Sequence, residues 1–186
     1  MYSICAWDEG NLVEQNKFNM LGIVQTRLRT QRYVNKEMEQ ARRVACIYLI
    51  SFAYGVDKVF WYKFRSYEKD PYYTEDNFGV VHKDLSPKPA FYAYKALTTL
   101  CPSGSSRPRL EISGDLYKVS WARPDGKTVW AVWYPKGDCG LRQLSYIGFP
   151  TFYDFMGNKL KNVHKGKYNI TSGVLYVVGC KDLRVH

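Results

Sequence analysis

Histidine is scarce, with three among 186 residues, and neither a CxxC pair nor a Cys/His metal-ligand spacing occurs. A zinc site is therefore not expected, and a Ser/His/Asp triad cannot be assembled around so few imidazoles. No glycine-rich phosphate loop is present either, so no cofactor is expected. The five cysteines, Cys5, Cys46, Cys101, Cys139 and Cys180, are odd in number and scattered. That pattern argues against a disulfide scaffold and leaves room for one incidental bridge. No apolar run approaches the roughly 18 residues of a membrane span, so no membrane partner is expected. No charged segment followed by an apolar one stands at the start. An extracellular or periplasmic location would need a signal upstream of Met1.

What is present is an apolar fraction of 46%, ample for a packed core, and an aromatic fraction of 16% with sixteen Tyr and five Trp. Such residues stack on sugars or bases, but they also fill β-sandwich cores, and most are assigned to packing. The formal charge of +10 is spread along the chain. Its densest cluster, Lys159, Lys161, His164, Lys165 and Lys167, is short and interrupted, and no nucleic-acid motif accompanies it. A solvated basic surface is the reading, without a nucleic-acid partner.

Periodicity divides the chain in two. Residues 2–7 form an apolar run that stops at Asp8, Glu9, Gly10 and Asn11, which predicts a buried strand delivering two carboxylates to a turn. Residues 10–30 are poorly periodic, with a short helix expected near 18–28. A strong helix follows Asn35, a good N-cap, with Met38, Ala41, Ala45, Tyr48, Leu49 and Phe52 three or four apart, and Gly55 closes it. Residues 58–64 are β-branched and aromatic, as a strand requires, so helix, glycine turn and strand make the αβ half of a βαβ unit. The polar, Tyr-rich stretch 65–84 predicts a long loop of the kind that carries function. Ser86 and the prolines at 87 and 89 then start a second helix, with Phe91, Tyr92, Tyr94, Leu97 and Leu100 as its apolar residues.

The period changes after residues 102–108, where Ser, Gly, Arg and Pro break the helical pattern. That stretch is taken as a linker between residues 1–101 and a β domain over 109–186. Seven short alternating runs, at 110–113, 117–123, 128–134, 143–147, 151–155, 168–171 and 174–179, predict an antiparallel β-sandwich. The fold class is α/β plus all-β.

Three stretches then carry a likeness: Gln40-Ala41-Arg42, the string from Gly55 to Tyr62, and Asn77-Phe78-Gly79 leading to Asp84-Leu-Ser-Pro-Lys-Pro-Ala-Phe-Tyr-Ala-Tyr-Lys95. Together they resemble the last two β/α units of clan A glycoside hydrolases, the retaining TIM-barrel enzymes that include family 39. Asp154-Phe-Met-Gly-Asn158 is similar to a segment of the β-sandwich that follows the barrel in many of them. The resemblance implies that residues 1–101 are the C-terminal portion of a TIM barrel, with residues 2–7 as strand seven and 59–64 as strand eight. Eight β/α units need about 250 residues. On this reading the first six units are not in the chain, and self-association or a partner chain would cover the faces they leave.

Retaining glycosidases use two carboxyl groups about 5 to 5.5 Å apart, one as nucleophile and one as acid/base. The resemblance implies a nucleophilic Glu at the end of strand seven, and Glu9 stands there, with Asp8 as the alternative because the register is open by one residue. The acid/base, expected at the end of strand four, falls outside the chain. Trp61 is the first candidate for a sugar-stacking platform on strand eight, and Tyr62 the second. The activity implied is hydrolysis of O-glycosidic bonds in poly- or oligosaccharides. The alternative is a non-catalytic carbohydrate-binding or accessory β-sandwich module.

Overall fold

The computed structural model describes residues 3–5, 36–70, 73–138, 140–161, 163 and 166–186. Strand β1, Ser3–Cys5, pairs in parallel with β2, Lys58–Phe60, in a register that sets Ser3 opposite Lys58 and Cys5 opposite Phe60. Parallel neighbours require a crossover, and helix α1, Lys36–Ala53, lies within it. The helix buries Ala41, Val44, Ala45, Tyr48 and Leu49, the stripe that its apolar spacing dictates. It ends at Gly55, whose φ of +86° suits a residue without Cβ and whose N–H donates to the Phe52 carbonyl at 3.0 Å.

Helix α2, Pro89–Leu100, packs on α1. Its buried face is Ala90, Ala93, Ala96, Leu97 and Leu100, whereas Tyr92 and Tyr94, expected in the apolar stripe, are exposed. The small side chains of that face share one core with Ala41 and Ala45 of α1, and Tyr94 keeps to its rim, edge-on to Tyr48 of α1 at 5.3 Å between ring centroids. The expected Ser86 cap is also absent. Lys88 occupies the N-cap position without a side-chain bond, and the Ser86 hydroxyl donates instead to Asp84 Oδ1 at 2.6 Å.

Beyond the 102–108 stretch, six strands form one antiparallel sheet in the order β3-β4-β5-β8-β6-β7. They are β3 Arg109–Ser113, β4 Leu116–Ala122, β5 Thr128–Trp133, β6 Leu141–Tyr153, β7 Lys167–Asn169 and β8 Leu175–Val185. Six replace the expected seven because the runs at 143–147 and 151–155 belong to the single strand β6. The stretch between them is a bend, not a turn. Gly148 on β6, at φ +114°, opposes Cys180 on β8, next to Gly179 at φ +92°.

At this glycine corner both long strands change direction, and their far halves fold back over the sheet. Lys118 on β4 shows how far: its ammonium donates to the Leu183 carbonyl at 3.3 Å, although its row of the ladder runs through Val132 to Leu175, eight residues earlier on β8. Alternation then gives the central strands two buried faces. Val129, Ala131, Trp133, Tyr176 and Val178 face the helices, in one core with Ala41, Val44, Ala93 and Leu97. Trp130, Val132, Leu175 and Val177 face the folded-over half, packing with Leu144, Phe152, Ile170 and Leu183. Each Val, Leu, Ile or Phe among them contributes roughly 1.5–3 kcal/mol on full burial.

The first of these cores runs across the 102–108 stretch, and polar contacts reinforce it. Trp121 donates its indole N–H to the Leu100 carbonyl at 2.9 Å. The Asp154-Phe-Met-Gly-Asn158 segment is a tight turn in which Asp154 Oδ1 accepts from the N–H groups of Met156 and Asn158, both at 2.9 Å. Gly157, at φ +84°, lets that turn rest on α2, where a Cβ would sit 3.0 Å from the Ala96 methyl. No described helix is long and apolar enough to cross a membrane.

Candidate functional site

The C-terminal end of β2 opens into the 61–88 loop, and alternation sorts its side chains. Val59 and Trp61 pack against the helical core, whereas Phe60, Tyr62 and Phe64 point away and are 54%, 50% and 63% exposed. Trp61, the first platform candidate, is thus half-buried on the helix side, with its indole N–H given to the Phe78 carbonyl at 3.1 Å. Tyr62 stands on the open side, edge-on to Phe78 at 6.4 Å between ring centroids. Glu9 and Asp8 lie outside the described residues, so their geometry is not stated.

Gln40 on α1 donates to that same Phe78 carbonyl at 2.8 Å, so two of the resembling segments converge on one oxygen in the third. Gly79 follows because a Cβ there would lie 2.1 Å from the backbone nitrogen of Ser66. Asn77-Phe78-Gly79 therefore fixes the return of the loop to α2. Val81 is held from two sides, bridging to Arg65 on one and to Pro87 on the other.

Under this loop lies a cluster of charged groups that the sequence did not single out. Lys88 is 1% exposed; its ammonium donates to Ser66 Oγ at 2.8 Å and to the Asn77 carbonyl at 3.3 Å. The carboxylates of Glu37 and Glu68 lie 3.5 and 3.8 Å from it. Glu68 also meets His82 Nδ1 at 2.7 Å and accepts from the Lys83 N–H at 3.2 Å. Burial pushes the Glu68 carboxyl up, but the bonds from His82 and Lys83 and the charges of His82 and Lys88 outweigh it and hold the group below the ordinary range. Arg65, Glu68, His82, Lys83, Asp84 and Ser86 line an open depression of about 570 Å³ on the outer side. Only position could have marked Lys88 in the sequence, between two prolines at a helix start.

Lys63 adds a second unusual cation. Its ammonium lies 3.2 Å from the centroid of the Tyr67 ring and finds no hydrogen-bond acceptor among the described residues. Burial lowers its pKa, Asp76 and Glu75 oppose the shift, and the like charge of Lys88 adds to it. Asp76 is itself committed to the loop, with Oδ2 accepting from the Asp70 N–H at 2.9 Å and its carbonyl from Tyr67 and Glu68. Tyr67 and Tyr73 are exposed, whereas Trp121, Trp130 and Trp133 of the sheet are buried. Among the described residues, no group of three or more His, Cys, Asp or Glu could hold a metal ion.

These elements define a parallel β/α unit whose helices also carry an antiparallel sheet on their other side. In fold the chain is similar to a family 39 glycoside hydrolase from the gut symbiont Bacteroides cellulosilyticus WH2, with 23% sequence identity and a TM-score of 0.64. The likeness covers 79% of this chain and 31% of that one, so the chain spans less than a third of the length of the structure it resembles. At that identity it is the fold that is shared. No protein-family model and no curated protein matches the chain.

Proposed function

We propose that the chain is the C-terminal part of a clan A glycoside hydrolase that cleaves O-glycosidic bonds of poly- or oligosaccharides with retention. Residues 1–101 form the last units of its TIM barrel, and the folded sheet takes the place of the sandwich that follows. Glu9 is the nucleophile, with Asp8 as the alternative, and the acid/base comes from outside this chain. The supporting observation is the parallel β1–β2 pair. Parallel strands release their chains at the same end, so the segment after Cys5 and the loop bearing Tyr62 leave the sheet together. Sites in β/α barrels are built at that end. Tyr62 is favoured over Trp61 as the sugar platform because its ring is half exposed and the Trp61 N–H is already engaged.

The row Phe60, Tyr62 and Phe64 faces away from the helices, and such a face is normally covered. Further β/α units, from a partner chain or through self-association, are the proposed cover, and light scattering tests this: a compact monomer in solution counts against it. The activity is tested by aryl-glycoside hydrolysis with the parent and Glu9→Gln. Without its acid partner the parent is expected to be slow by about 10² to 10⁴, and Glu9→Gln to remove what remains. Turnover unchanged by the substitution would sink the nucleophile assignment. Saturable oligosaccharide binding without turnover would favour a non-catalytic carbohydrate-binding module.

A further inference from the structure

Lys88 is the most deeply buried charge among the described residues, and nothing in the proposed chemistry uses it. Its partners come from three other segments that meet beneath the loop: Glu37 from α1, Ser66 and Glu68 from the outgoing limb of the loop, and Asn77 from the 3-10 turn Thr74–Asn77; Glu37 and Glu68 in turn meet His82 on the returning limb. One ammonium thus ties three stretches of chain to its own. The backbone there is held against its preference as well. Glu68 at φ +53° and Leu85 at φ +70° are the two non-glycine residues at positive φ among those described, and they flank the segment that Lys88 secures.

We propose that Lys88 is a positioning residue, a latch that holds the 65–86 loop in its returned conformation and with it the aromatic rim of Tyr62, Tyr67 and Phe78, and that the latch opens on acidification. Facing it are the carboxylates of Glu37 and Glu68, which also meet the imidazole of His82, with Arg65, Lys83 and Asp84 around the outer depression and Lys63 beyond. When Glu68 takes a proton, Lys88 loses a counter-charge and the His82 contact at 2.7 Å loses its charged acceptor. Cations are then left around a neutral carboxyl. The Glu68 carboxyl is depressed in the folded loop, so its contribution is complete above the ordinary Glu value of 4.5 and is lost as pH falls below it. The rim matters to the sugar-site reading, but the latch is measured without any sugar, so the two can fail separately.

The test is amide hydrogen exchange of the full chain at several pH values, expressed as protection factors so that intrinsic exchange cancels. In Lys88→Met, protection at the amides of Ser66, Tyr67, Val80 and Val81 is expected to fall about tenfold or more, as loss of a charge-assisted bond implies, with β5 and β8 unchanged. In the parent, the same four amides lose protection below pH 4.5, whereas in Glu68→Gln they are weak throughout and change less with pH. A packing role alone would not produce that difference in pH profile. If Lys88→Met does not fold, Ser66→Ala, which removes the closest acceptor, must show the loop-specific loss. Loop protection at the parent level in the folded Lys88 or Ser66 variant, or a Glu68→Gln profile that follows the parent's, overturns the proposal.

Discussion

Trp61 and Gln40, twenty-one residues apart on a strand end and a helix, donate to the same carbonyl oxygen, that of Phe78, at 3.1 and 2.8 Å. The oxygen belongs to the loop that closes over them, so both side chains act on the loop. The Trp61 ring is half-buried on the helix side, whereas that of Tyr62, its neighbour, is half exposed and edge-on to Phe78.

Trp61→Phe should therefore cost about 1–2 kcal/mol of stability, from a buried carbonyl short of one donor and a smaller ring in the core. Tyr62→Ala should stay within about 0.5 kcal/mol, because its ring is half exposed. Urea unfolding of both variants checks the contrast. In oligosaccharide binding the order should reverse, with Tyr62→Ala the more damaging.

The glycine corner gives a second contrast. Gly148 combines a φ of +114° with a close approach, since a Cβ there would lie 3.3 Å from the Gly179 carbonyl oxygen; Gly126, at φ +77°, has open space around it. Alanine at 126 should cost roughly 1 kcal/mol from backbone conformation alone. Alanine at 148 should cost roughly 2–3 kcal/mol, since it also obstructs the bend that folds β6 and β8 over the second core. Equal costs in thermal or urea unfolding would mean that the corner can open without loss.

Tyr176 is fully buried between the helices and the sheet, and its hydroxyl has no partner among the described residues. Burial raises this phenol well above its ordinary value, with Cys46 and Cys101 nearby adding to the shift. Removing an unpaired buried hydroxyl relieves its desolvation, so Tyr176→Phe should be neutral or up to about 1 kcal/mol more stable. A loss of about 1 kcal/mol or more in urea unfolding would reveal a partner for the hydroxyl.

How much of this was legible in the sequence depends on what each residue answers to. The apolar spacing of α1 and its stop at Gly55 follow from local rules, and the structure reproduces them within a residue or two; the β-branched run after it starts where expected but its strand ends at Phe60 rather than 64. Tyr92 and Tyr94 were misread because a tyrosine counts as apolar in a periodic pattern, while the face it takes depends on the opposing helix. The stretch from Gly148 to Pro150 carries turn residues, yet long-range pairing with β8 turns it into a bend within one strand. Lys88 had no local signal beyond its place between two prolines. A lysine reads as a solvent-facing residue until one carbonyl and three side-chain oxygens from distant segments surround it, and those are brought together only by the fold. Trp61 and Tyr62 differ for a related reason, since alternation offers two faces and the position of the helices leaves the Tyr62 ring on the exposed one.

The turn between β5 and β6 yields a prediction in pH. Asp138 accepts from the Asn169 amide at 2.9 Å and from the Gly140 N–H at 2.7 Å, joining that turn to β7. The Asn169 bond first and the Gly140 bond second lower its carboxyl below the ordinary Asp value of 3.8, against a small opposing effect of burial. Because the folded-state value is the depressed one, the unfolded chain binds the proton more readily, and the contribution of Asp138 is complete above 3.8 and lost as pH falls below it. Asp138→Asn removes the titrating group but keeps an oxygen that can still accept. Stability measured by urea unfolding should fall less steeply for this variant than for the parent between pH 3.8 and 2.5, and the two curves should run parallel above pH 5. Parallel curves over the whole range would mean that the Asn169 and Gly140 bonds persist in the unfolded chain or are absent from the folded one, and the β7 edge would then need another anchor.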